Sequence, residues 1–177
     1  RRVLFRSWHL LEFDLHKGVQ SWVKDLNHLY SSRKALWFNA FSPDGYEWIS
    51  GDDTENCVLA YLRKGEPGDK VLLVICHFNA NVMAEYSVGV PYGGIWKEVL
   101  NSDDKKYGGS GITNGDLKAK KEASHGKDYS VTFKLPPLCV MIFEGEDVPT
   151  MKEIGQKAKD KTETKSVAAK KTRAKKS

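Results

Sequence analysis

Two clusters of acidic side chains, Asp52-Asp53 with Glu55 and Asp103-Asp104, are the residues here whose types could do acid–base chemistry. Cleaving a glycosidic bond takes two carboxylates on rigid elements, about 5–9 Å apart, on either side of a sugar. Both clusters instead fall where turns are expected, and acidic residues in turns commonly accept hydrogen bonds from nearby backbone N–H groups. His9, His16, His28, His77 and His125 form no spaced set. His28 reads as a helix-surface residue, His77 as packed or hydrogen-bonded within a strand, and His125-Gly126 as a loop tie. No Ser/His/Asp arrangement, phosphate loop or nucleotide fingerprint is present. The sequence therefore predicts no catalytic residue of its own and no cofactor.

Cys57, Cys76 and Cys139 each sit inside an apolar run. An odd number of dispersed, strand-embedded thiols reads as reduced core residues rather than a disulfide framework. Cys76 is followed by His77, but no second pair answers it, so no metal site is predicted. The aromatic residues have two uses open to them. Trp22 and Tyr30 fall on the apolar face of a helix and are expected in the core. Trp37, Tyr46, Trp48, Trp96 and Tyr107 lie near turns or strand ends, where a flat ring can pack at a junction or on a sugar.

The elements that must position these groups are legible from periodicity. Leu15, Val19, Trp22, Val23, Leu26, Leu29 and Tyr30 recur at steps of three and four, which predicts a helix over 14–31 with Asp14 as its N-cap. A further helical turn is expected near 33–37. Ser42-Pro43-Asp44-Gly45 is a turn. Short strands are then predicted over 46–50, 56–63, 70–78, 86–90, 95–100, 129–135 and 138–143. The apolar run Val71 to Cys76 predicts a strand covered on both faces. Residues 101–126, with Gly108, Gly109, Gly111 and Gly115, read as one long loop. Short strands with turn chemistry at close intervals make the fold mainly β, an antiparallel β-sandwich behind one helix.

Charge divides the chain. Residues 150–177 hold 10 Lys/Arg against 3 Asp/Glu, a net of +7, so residues 1–149 carry −2 of the total +5. A near-neutral body argues against a nucleic-acid binder, which would show a basic face. No stretch approaches the roughly 20 apolar residues that cross a bilayer, so no membrane contact and a cytoplasmic location are expected. Residues 147–177 contain almost no large apolar side chains and are expected to be a disordered, Lys-rich tail. Residues 1–7 carry no period and read as an unmatched remnant at a broken chain start, too broken in pattern for a signal peptide.

Several segments, taken in order, resemble bacterial glycogen (1,4-alpha-glucan) branching enzymes of the alpha-amylase superfamily. They are Trp8-His9-Leu10-Leu11, Gly18-Val19-Gln20, Asp25-Leu26-Asn27-His28-Leu29-Tyr30, Gly45-Tyr46-Glu47-Trp48-Ile49 and Leu100-Asn101-Ser102-Asp103, followed by Tyr107-Gly108-Gly109-Ser110-Gly111, His125-Gly126 and Leu135-Pro136-Pro137-Leu138. Each is weak alone; in succession over residues 8–144 they are specific. The resemblance implies that residues 8–40 end a catalytic (β/α)8 barrel and that 41–146 form the C-terminal all-β domain packed against it. It implies a parent enzyme that cuts an α-1,4-glucan and re-attaches the piece through an α-1,6 bond by the retaining route. The catalytic Asp, Glu and second Asp of that family lie upstream of the matched stretch, so none is carried onto a position here.

On this resemblance the expected partners are the missing barrel and an α-glucan such as glycogen, with Trp8, Trp96 and Tyr107 as glucan-contacting aromatics. Two other readings stay open: a stand-alone glucan-binding module, and anionic-polymer binding through Lys170-Lys171 and 173–176.

Overall fold

The computed structural model describes residues 8–146. The expectations for residues 1–7 and for the tail 147–177 lie outside the described residues.

A 3-10 turn at Trp8–Glu12 leads into α1 (Asp14–Ser32). The N-cap is Phe13, not Asp14: the Asp14 carboxylate sits in the first turn, makes no cap bond, and pairs with Lys17 at 3.3 Å. A negative charge there still suits the positive end of the helix. Arg33, in extended conformation, ends the helix, its N–H bonded to the Leu29 carbonyl at 3.1 Å. A 3-10 turn at Lys34–Leu36 follows, close to where the sequence expects one.

Eight strands follow: β1 (Tyr46–Asp53), β2 (Val58–Arg63), β3 (Leu72–His77), β4 (Met83–Val90), β5 (Gly94–Asn101), β6 (Asp116–Ala119), β7 (Tyr129–Leu135) and β8 (Val140–Gly145). All pairings are antiparallel. Six strands form one sheet in the order β1-β2-β3-β8-β5-β6, and β4 pairs with β7 in a second. The stretch 101–126 is not one loop. It holds a 3-10 turn at Lys105–Tyr107 and the strand β6, whose Gly94↔Ala119 to Lys97↔Asp116 register extends the sheet. Four residues with alternating exposure carry too little pattern to be read as a strand; the pairing comes from β5.

Alternation along the large sheet feeds two cores. Val58, Ala60, Leu62, Leu73, Ile75, Met141 and Phe143 face β4 and β7, meeting Val88, Val90, Val131, Phe133 and Leu135. Leu72, Val74, Leu100 and Ile142 face the other way, where Leu29 of α1 and Ala35 close a second core. This is why Val71 to Cys76 is apolar almost throughout: β3 is covered on both sides. Cys139 is buried, and burial pushes its thiol up to about 12. Cys57 departs from the core expectation; it is exposed, at a turn position with φ +55°. All three described thiols are free.

α1 does not bury its whole apolar stripe. The flank that meets the sheet runs through Gly18, Trp22 and Leu29, with Gly18 and Leu29 buried. Gly18 permits this approach, because a Cβ there would lie 2.4 Å from the Tyr107 carbonyl oxygen. Leu15, Val19, Val23 and Tyr30 remain 47–71 % exposed, so Tyr30 is not the core residue expected of it. The helix contacts the sheet on a flank offset from its apolar centre. Among the described residues no helix is long and apolar enough to cross a membrane.

Candidate functional site

Asp53 and Asp103, one from each acidic cluster, are occupied by local hydrogen bonds. Asp53 accepts the Tyr86 hydroxyl at 2.7 Å and the Asn56 side chain and backbone N–H at 2.9–3.1 Å. Burial alone would raise its pKa, but these bonds outweigh burial and hold it below the usual carboxylate range. Asp103 is buried and accepts Ser110 N, Ser110 Oγ and Ile112 N, with the same outcome. A general acid needs its pKa raised, whereas these two are charged anchors for local turns. Asp104 accepts the Lys106 N–H at 2.9 Å. Among the described residues no three His, Cys, Asp or Glu side chains are placed to hold a metal ion. His77 Nδ1 lies 2.6 Å from the Pro136 carbonyl, which fixes the proton on that nitrogen, and His125 Nδ1 lies 2.7 Å from the neighbouring Ser124 Oγ and accepts the Gly89 N–H of β4 at 3.4 Å.

The structure separates the three aromatic residues singled out from the sequence. Trp8 lies on the turn before α1, 65 % exposed. With Leu10, Leu11, His16, Val19 and Val23 it lines an apolar groove of about 350 Å³. Trp96 corrects the expectation: it is fully buried in the main core, stacked on Tyr92 at 5.2 Å, and offers no face to a sugar. The β5 pleat turns it inward, since it shares a face with Leu117 and the sandwich interior. Tyr107 is half-buried. Its ring meets Trp22 edge-on at 5.2 Å, and the Lys106 ammonium sits 4.8 Å from the ring centre.

Tyr107 donates its hydroxyl hydrogen to Asp25 Oδ2 at 2.6 Å, and Lys106 Nζ lies 2.7 Å from the same oxygen. The Lys106 and Tyr107 bonds hold the Asp25 carboxyl below its ordinary range, while burial and then Asp25 push the Tyr107 hydroxyl up. This network forms one end of a cleft of about 460 Å³ between α1 and β5.

A second aromatic group is assembled only by strand pairing. Trp48 lies opposite Tyr61 and Tyr46 opposite Arg63 in the β1–β2 register. Tyr46 stacks on Tyr61 at 4.9 Å, Trp48 meets both edge-on, and the Arg63 guanidinium lies 6.0 Å from the Tyr46 ring. Tyr61 packs against the helix-side core, so the group lies on the same face of the sheet as α1, where the helix leaves it uncovered. Trp48 is 55 % exposed there. The spacing Tyr46-x-Trp48 signalled a shared face, but Tyr61 could be added only with the register known. Exposed Trp37, Phe38 and Phe41 precede β1.

Comparison with known proteins gives these arrangements relatives. The family model of the alpha amylase C-terminal all-beta domain matches residues 48–146. The 1,4-alpha-glucan branching enzyme GlgB of Aquifex aeolicus (strain VF5) is 45 % identical over 141 residues, 79 % of this chain and 22 % of that protein. GlgB 1 of Xanthomonas campestris pv. campestris (strain 8004), of the same description, is 45 % identical over 76 % of this chain and 19 % of its own length. The GlgB of Rubrobacter xylanophilus is 42 % identical over 80 % of this chain and 20 % of its own. The chain thus spans about a fifth of the length of the curated relatives it matches.

Proposed function

Since this chain belongs to the family of alpha-amylase C-terminal all-beta domains, we propose that it is the C-terminal part of a 1,4-alpha-glucan branching enzyme. In this reading residues 8–40 close the catalytic barrel and 41–146 form the all-β domain. The chain supplies no catalytic carboxylate, and its parent makes α-1,6 branches in glycogen by retaining glucan transfer. The observation that carries this is the exposed stripe Val19, Val23 and Tyr30 on a helix whose other flank is packed through Gly18, Trp22 and Leu29. Contiguous exposed apolar surface of this kind marks an interface, and the much longer relatives supply the occupant, the rest of the catalytic domain. The exposed Trp8, on that side of α1, and the Tyr46–Trp48–Tyr61 group contact glucan or that domain at the edge of the interface. Free thiols suit a cytoplasmic setting.

The test is a branching assay on amylose, read as loss of iodine colour. The chain alone should leave the colour unchanged. Mixed with the separately produced remainder of the 45 %-identical relative, it should restore activity, and Val19→Lys with Val23→Lys should prevent that restoration. Colour loss by the chain alone would overturn the reading. So would failure of the native chain to bind the remainder.

A further inference from the structure

The cleft between α1 and β5 is unused by the function above. Leu29, Val99 and Leu100 give it an apolar part, and its other lining residues are polar or charged. Those polar groups are held rigidly but not consumed. Asp25 uses Oδ2 for both Tyr107 and Lys106, and Oδ1 has no partner among the described residues. Asp104 uses Oδ1 for the Lys106 N–H. Arg33 is fixed by Nε to Glu144. The His28 ring and the Lys97 ammonium, both lining the cleft, make no hydrogen bond among the described residues.

This combination sorts ligand classes. Arg33, Lys97 and Lys106 are matched in number by Asp25, Glu98 and Asp104, so the lining carries no net charge that would favour an ion of one sign. It offers both donors and acceptors beside apolar side chains, with the Tyr107 ring among them. A neutral polyol ring, with hydroxyl edges and apolar C–H faces, meets such a lining on both counts. The volume, about 460 Å³, lies in the range of small-ligand sites.

Position matters equally. At 3.6 residues per turn, His28 stands roughly 140–180° around α1 from Val19 and Val23. The cleft therefore lies on a different flank of α1 from the apolar stripe. We propose that it is a second glucan-contact site, taking one or two glucosyl units of an α-1,4-glucan away from the docking interface. This rests on the branching-enzyme reading for its substrate class and adds to it a site that holds the polymer at a distance from the reacting end.

The experiment is a titration of the isotopically labelled 177-residue chain with maltoheptaose, followed by amide chemical shifts. Shifts are expected in residues 25–33, 97–101 and 104–107. The double variant His28→Ala, Lys97→Ala removes two exposed side chains without internal hydrogen bonds. It should raise the Kd at least fivefold with an unchanged urea midpoint. Shifts confined to Tyr46, Trp48 and Tyr61, no shifts at all, or wild-type affinity in the double variant would each overturn the cleft site. The iodine reassembly assay reports on the parent reading independently, so the two can fail separately.

Discussion

Arg33, the residue that ends α1, donates from Nε to the carboxylate of Glu144 on β8, across 111 positions of sequence. Glu144 is almost wholly enclosed and also accepts Lys70 at 3.1 Å, while both cations reach solvent. The asymmetry predicts opposite consequences for the two ends of the bridge. Arg33→Met leaves a buried charge with one partner and should cost about 2 kcal/mol. Glu144→Met leaves two cations that can turn to water and should cost less than about 1 kcal/mol. Urea unfolding of the two variants distinguishes these outcomes; equal losses would mean that the bridge acts as a surface pair.

Gly18 reverses a general rule. Alanine in place of a mid-helix glycine ordinarily stabilises by about 0.5–1 kcal/mol. Here the added Cβ would meet the Tyr107 carbonyl oxygen at 2.4 Å, and backbone cannot move aside cheaply. Gly18→Ala should therefore destabilise by about 2 kcal/mol and loosen the contact between α1 and the Lys105–Tyr107 turn. A gain in thermal midpoint would show that α1 is free to lift from the sheet.

Trp96 and Trp8 looked alike in sequence and should behave differently. Trp96→Ala removes a fully buried ring stacked on Tyr92 and should cost about 3–5 kcal/mol. Trp8→Ala, at a residue 65 % exposed, should change stability by less than about 0.5 kcal/mol while weakening glycogen co-sedimentation. Far-UV circular dichroism during thermal unfolding, with co-sedimentation beside it, reads both.

Acid should open the loop around Asp103 before the sheets. Burial raises the Asp103 pKa, but bonds from Ser110 and the neighbouring N–H groups more than offset this and leave it depressed. A depressed folded pKa gives stabilisation that is complete above the unfolded carboxyl value of about 4. That stabilisation is lost as pH falls through the lower folded value. Hydrogen exchange of the Ser110 and Ile112 amides should accelerate below about pH 4, relative to β3 amides, beyond the intrinsic pH effect. Asp103→Asn should show fast exchange already at neutral pH.

Much of the architecture was legible because its signals are local. The helix, expected over 14–31 from three-and-four spacing, is found at Asp14–Ser32, and the turn at Ser42–Gly45 followed from proline and glycine chemistry. The two-sided burial of β3 followed from an unbroken apolar run. Strand β6 was missed because its identity lies in β5's edge and hardly at all in its own four residues. The Asp14 cap was misread because Ser, Asp and Asn at a helix start satisfy the same pattern whether they cap or merely begin the first turn.

The sequence by itself determined the periods, the turns, the two-core potential of β3 and, through ordered segments along the chain, the family. Tertiary structure alone decided which aromatic rings face out. Trp96 and Trp48 each sit on a pleated strand, and the pleat gives either residue two choices of face. The choice is made by strand order and register, which stack Trp96 on Tyr92 inside the sandwich and lay Trp48 against Tyr61 outside it. It also decided which flank of α1 is covered, because Gly18 lets the helix approach a carbonyl 89 residues away, and no local pattern encodes that contact.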